Sequence, residues 1–452
     1  MEALDLLHKY DVPVPRYTSY PTVPAWQFAD CSEQKWFEHV VRAFKQENGE
    51  VCVYIHLPFC EELCTYCACN KRITKNHQVE TPYLASVLQE WEIYRSQFPS
   101  KPIIREIHLG GGTPTFFSPE HLKKLIDTIT ADATVPDDHA FSVEVHPNYT
   151  QDAHLIALRD AGFNRISLGV QDFDPAVQFI INRIQTFEQT KKVVDAARAL
   201  GYTSVNFDLI YGLPKQTTDS IAYTMQFVQQ LMPDRIAFYS YAHVPWKSKG
   251  QRRYTDEDVP KAAEKLAMYA AGSQHLQQLG YTHIGMDHFA LPGDGLLVAH
   301  EQGNLHRNFM GYTTTNHKLV IGLGASAIGD TWTAFAQNDK EVEAYQEKIA
   351  TGHLPLVNGH ILSDEDLILR NHILDLMCRD TTTLDEDLLS AAHIASIQTR
   401  LAPFIEDGLA TFTNNTIHVT EKGKLFIRNI SSALDAHLHR TQSETRTFSK
   451  AI

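Results

Sequence analysis

From residue 51 onward two hydrophobic rhythms alternate. Short runs rich in β-branched and aromatic residues occupy 51–57, 103–109, 140–146, 164–170, 203–210 and 235–242, and read as strands. Between them, near 82–97, 119–130, 151–161, 188–200 and 217–231, apolar residues recur at helical spacing. "SPEHLKKLIDTI" shows the helix grammar, with Ser118 as N-cap and Pro119 in the first turn. Six strand–helix alternations predict an α/β fold of parallel βα units, either a doubly wound sheet or a full or partial barrel. A seventh strand fits "YTHIGMDHFA", 281–290.

Outside that region the pattern changes. Residues 1–50 are mixed, and the proline-rich "VPVPRYTSYPTVP" should be extended, so 1–50 reads as an arm over the fold. The core spans 51–300, and 301–359, with "GLGASAIG", reads as an irregular extension of it. From 360 to 452 a smaller, mostly helical domain runs helix, helix, hairpin across Asn414–Asn415, helix, in winged-helix-like order.

Composition narrows the partners. The 452 residues are 43% hydrophobic and 21% charged, as in a soluble globular protein. A net charge of −14 argues against nucleic acid and anionic lipid. No apolar run approaches a membrane span, and the N-terminus lacks a signal-peptide core. Seven cysteines, an odd number, fit thiols in a reducing cytoplasm.

Candidate chemistry falls at the C-terminal ends of the strands, the edge where parallel βα folds build sites. "GGGTP" (110–114) follows the second strand, Glu144 ends the third and Gln171 the fourth. Asp208 and Tyr211 end the fifth, Tyr241 and His243 the sixth. The glycines suit close backbone approach to a ligand, or simply a tight turn. Glu144, Gln171 and Asp208 can bond ligand hydroxyls or amines, or be ordinary polar strand ends. Arg183 can hold a carboxylate or form a surface ion pair.

Behind the first strand stands Cys60-x3-Cys64-x2-Cys67-x-Cys69. Four inert thiols would not cluster beside Glu61, Glu62, Thr65 and Asn70. A redox pair at Cys64 and Cys67 would leave the other two idle. A structural zinc site takes ligand pairs from separated segments. An iron–sulfur cluster, with its larger core, suits such close spacing. Three cysteine ligands leave one of four irons open to a cofactor.

The x3–x2 spacing resembles the radical S-adenosylmethionine superfamily. With "PRYTSYPT", "HLGGGTPT", "LGVQDF", "NFDLIYGLPKQT", "GMDHFA" and "LHRNFMGYTT", the chain from about residue 13 resembles the oxygen-independent coproporphyrinogen III oxidase (dehydrogenase) family. The resemblance implies a partial parallel (β/α)6 barrel and a [4Fe–4S] cluster on Cys60, Cys64 and Cys67. It further implies S-adenosylmethionine, two molecules of it, cleaved to a 5′-deoxyadenosyl radical. Two propionates of coproporphyrinogen III would become vinyl groups, giving protoporphyrinogen IX in haem biosynthesis. An external electron donor, flavodoxin-like, and an electron acceptor would serve a cytoplasmic monomer.

By the same resemblance Cys69 is a catalytic cysteine outside the cluster, and Tyr54 acts in catalysis and cofactor contact. Gly111, Gly112, Thr113, Glu144, Gln171, Arg183, Asp208 and Ala242 match residues around the first S-adenosylmethionine, Phe309 and Ile328 the second. Two departures stand out: Met310 replaces a glutamine, and His146 an aspartate. Arg16, Lys71, Arg72 and Arg307 are candidates for the substrate's carboxylates. A haem chaperone is the alternative; Cys69 and Tyr17 speak for the oxidase.

Overall fold

The alternation carries into the computed structural model, which describes residues 3–28, 31–246, 248–440 and 448–450. At its centre six parallel strands lie side by side in chain order. They are β1 (Glu50–Leu57), β2 (Ile103–Gly111), β3 (Ala140–Val145), β4 (Arg165–Gln171), β5 (Ser204–Tyr211) and β6 (Arg235–Ser240). Helices Glu80–Arg95, Pro119–Ala131, Asp152–Asp160, Phe187–Ala199 and Thr218–Leu231 connect them. The period of two explains the layering. In β4, Ile166, Leu168 and Val170 join an apolar core with Leu158 and Val194 of the helices. Arg165, Ser167 and Gly169 of the same strand line a cavity.

The expected seventh strand is a hairpin, β7 (Thr282–Gly285) and β8 (His288–Ala290), and β8 pairs antiparallel with β6. The turn falls at Met286, whose φ is 39°. Residues 301–359 are also more regular than their pattern suggested. Strands β9 (Val320–Leu323), β10 (Ile328–Asp330), β11 (Ala334–Asn338) and β12 (Leu356–Ile361) extend the sheet beyond β1. "GLGASAIG" is a strand–turn–strand, with Gly324 and Ser326 at φ 96° and 65°. The twelve-stranded sheet stays open, ending on β12 at one edge and β7 at the other, so the barrel is partial.

The C-terminal part pairs helices Asp364–Arg379 and Ala391–Glu406 with a small sheet of Thr381–Thr383, Thr416–Val419 and Ala410–Thr413. Asn414 and Asn415, at φ 50° and 56°, make the hairpin turn. The arm is more deeply engaged than an overlying strap. Its Leu6, Leu7, Tyr10, Tyr17 and Tyr20 are buried in a second core with Leu376, Leu401 and Ile430. No described helix is long and apolar enough to cross a membrane.

Candidate functional site

Beyond β1 the short strand Phe59–Cys60 pairs in parallel with Arg72–Ile73 and closes a loop between them. Neighbours fix its backbone. Thr65 N–H donates to Ile181 O (2.9 Å), Gln251 to Tyr66 O (2.8 Å) and Ser248 to Cys67 O (3.0 Å). Lys71 Nζ donates to Cys67 O at 2.9 Å and Cys69 O at 3.3 Å.

The thiols turn toward the β2–β5 rim. Cys60 is buried, and its sulfur accepts from Thr113 Oγ1 at 3.3 Å. Burial pushes its pKa up to about 11, against the pull of that hydrogen bond. Arg183 Nη1 reaches the Cys64 sulfur at 3.5 Å. The Cys69 thiol donates to the Cys67 sulfur, which pulls Cys67 down and pushes Cys69 up; Lys71 and Arg183 help hold Cys67 as thiolate.

The spread of these thiols matters. Zn–S bonds of about 2.3 Å bring tetrahedral thiolates to roughly 3.8 Å from one another. Among the described residues the only three-ligand group within 4.8 Å is His360, Asp366 and His437, so no three of the cysteines lie mutually within that span. The histidine group is itself internally paired. Gln27 N–H donates to His360 Nδ1, so Nε2 carries the proton it offers to Asp366, and His437 Nε2 meets Asp366 at 2.6 Å.

The cysteine loop borders a cavity of about 350 Å³ that runs inside the barrel. Its glycine wall is tight. A Cβ on Gly112 would sit 2.6 Å from the Pro58 carbonyl, and Gly111 has φ +112°. Gly111 N–H and His108 Nε2 each lie 3.3 Å from Glu144. Burial would raise Glu144, but His108, the amide and His56 outweigh it and hold the carboxyl below its usual value. Asp208 accepts from Ser167 (3.0 Å) and Asn206 (2.9 Å), yet burial and then Glu144 push its pKa up to about 6.

A Radical SAM superfamily model matches residues 54–228. The chain is 40% identical to an oxygen-independent coproporphyrinogen III oxidase of Pseudomonas aeruginosa, covering 96% of this chain and 95% of that one. It is 39% identical to one of Escherichia coli, covering 99% and 98%. The solved coproporphyrinogen III oxidase (HemN) of Escherichia coli, described as a radical SAM enzyme, superposes with a TM-score of 0.90 at 37% identity, covering 97% of this chain and 99% of that one. The chain belongs to the oxygen-independent coproporphyrinogen III oxidase family.

With that family come a [4Fe–4S] cluster and S-adenosylmethionine, and the residues present fit both. No three of the thiols are mutually within 4.8 Å, and the glycine backbone packs directly against Pro58 and His56, where a Cβ would clash, so this wall of the cavity is bare main chain. Thr113, Gln171, Arg183 and Asp208 line the same cavity as the cysteines. Ala242 lines neither this cavity nor the next; its carbonyl accepts from Gln251, which also secures the loop.

A second cavity, about 390 Å³, is lined by Tyr54, His56, Phe309, Met310 and Ile328. It shares Cys69, His108 and Glu144 with the first. Tyr54 OH meets His56 Nδ1 at 3.0 Å and stacks on His108. His146 also lines the first cavity, and burial beside Arg183 lowers its pKa to about 2, so it is neutral where an aspartate would be charged.

Of the four cations expected to serve the substrate, Lys71 alone lines either of these two cavities. Arg16 is bound to Asp287 (3.2 Å), Arg72 to Glu343 (2.9 Å), and Arg307 to the Arg16 carbonyl over the Tyr312 ring. Sequence reading missed Arg165, which lines the first cavity at the N-terminal end of β4. Among the described residues it is the one arginine not exposed that has neither a hydrogen bond nor an ion pair; it is half-buried, with Glu106 and Asp294 as the nearby opposite charges. Its only signal was its place in phase with Ser167 and Gly169 on the non-core face of the strand.

Proposed function

We propose that the chain carries out the oxygen-independent decarboxylation of two propionate side chains of coproporphyrinogen III to vinyl groups, giving protoporphyrinogen IX and two CO2. When bound, the cluster and S-adenosylmethionine supply a 5′-deoxyadenosyl radical that takes a hydrogen atom from the propionate β-carbon. The observation that carries this reading is the convergence of Cys60, Cys64 and Cys67 with Glu144, Arg183 and Asp208 on one cavity.

In this reading Cys60, Cys64 and Cys67 hold the cluster. Gly111, Gly112 and Thr113 offer backbone to the first S-adenosylmethionine. Glu144, Gln171, Arg183 and Asp208 bind its polar groups, with Ala242 supporting the wall. Cys69, on the wall shared by the two cavities, and Tyr54, on the wall of the second, face the reacting side chain. Phe309 and Ile328 line room for a second S-adenosylmethionine, although the Met310 thioether cannot replace an amide's donors. Arg165, free and facing the cavity, takes a substrate carboxylate. The C-terminal domain, 360–452, serves as a lid. A flavodoxin-like donor and a separate acceptor exchange electrons with a cytoplasmic monomer. The haem-chaperone alternative gains nothing from the relatives, which bear the oxidase name over nearly their whole length.

Anaerobic incubation with reductant, S-adenosylmethionine and coproporphyrinogen III tests the reading. Vinyl product and deoxyadenosine are expected. Tight haem binding without turnover would overturn it.

A further inference from the structure

The segment "WKSKGQRR", residues 246–253, has four cations in eight residues and no acid, in a chain of net charge −14. Lys249, Arg252 and Arg253 are exposed, and none has an ion pair among the described residues. Arg252 donates only to the Pro245 carbonyl, and Arg253 lies 5.8 Å from the Phe179 ring.

Apolar side chains adjoin these cations. Phe179 and Ile184, each 63% exposed, are the most exposed large apolar residues among those described, and Trp246 and Leu63 are exposed too. Asn182, between the first two, donates to the Leu63 carbonyl at 2.8 Å, and Gly250 packs on Thr65. The face therefore sits on the cysteine loop itself, through Ser248 to Cys67 O and Gln251 to Tyr66 O. The loop's own acids are engaged elsewhere, Glu61 with His77 (3.7 Å) and Glu62 with Tyr149.

We propose that this face is the docking surface for an acidic one-electron carrier protein that reduces the cluster held by Cys60, Cys64 and Cys67. The inference rests on the function proposed above. An apolar centre with a charged rim is the anatomy of a protein interface, and opposite charge steers the encounter. A two-fold pairing of this face with itself would set cation against cation, which disfavours a second copy of the chain. In the transfer a flavin carrier passes from anionic hydroquinone to neutral semiquinone. The oxidised cluster gains that one electron, and no proton or other atom crosses between the proteins.

The test uses an acidic flavodoxin as probe. Its affinity for the full chain is measured by calorimetry at low and high salt, and cluster reduction by its hydroquinone is followed by absorbance. Lys249→Glu/Arg252→Glu/Arg253→Glu should weaken binding and slow reduction about tenfold or more and flatten the salt dependence. Deoxyadenosine formation driven by dithionite should match the parent protein. Phe179→Ser/Ile184→Ser should weaken binding without changing the salt slope. Unchanged affinity in both variants overturns the proposal, as does self-association through this face in place of flavodoxin binding. A parent protein that is inactive with dithionite yet binds flavodoxin in this way would instead refute the enzymatic reading.

Discussion

The Arg183 guanidinium joins two parts of the chain that only folding brings together. Its Nη1 lies 3.5 Å from the Cys64 sulfur, while its Nε donates to the Gly169 carbonyl of β4 at 3.0 Å. One fixed cation thus faces a thiol on the loop and the wall of the cavity. Burial would lower its pKa, but Tyr66, Cys64 and Cys67 outweigh that and hold it above the usual value.

Arg183→Met should therefore weaken S-adenosylmethionine binding more than it disturbs the metal site. A hydrogen bond to a charged group is worth about 1.5–3 kcal/mol, so KM should rise roughly 10- to 100-fold. Iron analysis beside the kinetics checks the outcome. Loss of iron in proportion to affinity would place the arginine in cluster retention instead.

Cys64→Ser and Cys69→Ser should separate. The first should lose iron and the broad iron–sulfur absorption near 400 nm (on the order of sulfur-to-iron charge transfer). The second should keep both and lose porphyrinogen turnover by about 100-fold or more, the scale of removing a general acid or base. Parallel iron assays and product chromatography decide between them.

Asp208 sets a pH limb. Its pKa is raised to about 6 in the free protein, so the carboxylate is mostly ionised above pH 7 and mostly protonated below pH 5. A cationic ligand prefers the ionised form. S-adenosylmethionine affinity should be flat above about pH 7 and fall about tenfold per unit below pH 6. Asp208→Asn should be weak at every pH and lack the limb. Equilibrium dialysis of the anaerobic protein across pH 5 to 8 (about the window around that pKa) reads the slope.

A buried ion pair borders the second cavity through Asp330. Arg370, on helix Asp364–Arg379, reaches Asp330 of β10 at 2.5 Å and lies over Trp332 and Phe335. Arg370→Ala leaves Asp330 buried and unpaired and should cost about 3–5 kcal/mol in denaturant unfolding. Arg370→Met/Asp330→Leu should recover much of that. An equal loss in both variants would mean that packing, rather than the orphaned charge, sets the cost.

Much of the fold was legible in the chain. All six parallel strands start and end within two residues of their expected bounds, because each alternates or runs apolar long enough to show its period. β9 to β12 escaped because runs of three to six residues are too short to show one. Arg16 and Arg307 show another limit of sequence reading. Their motifs mark them, but a motif does not reveal that Asp287 and the Arg16 carbonyl already hold them.

The sequence alone determined what is local: the x3–x2 spacing of the thiols, the order of strands and helices, and which residues end each strand. Those follow from backbone sterics and hydrophobic period, which act over a few residues. Tertiary structure decided which ends meet. Cys64 and Arg183 are 119 residues apart in sequence, and contact between them depends on strand register and sheet curvature. It also decided that Arg165 faces a cavity without a partner. Whether a charge is neutralised depends on neighbours that only the closed packing of distant segments supplies.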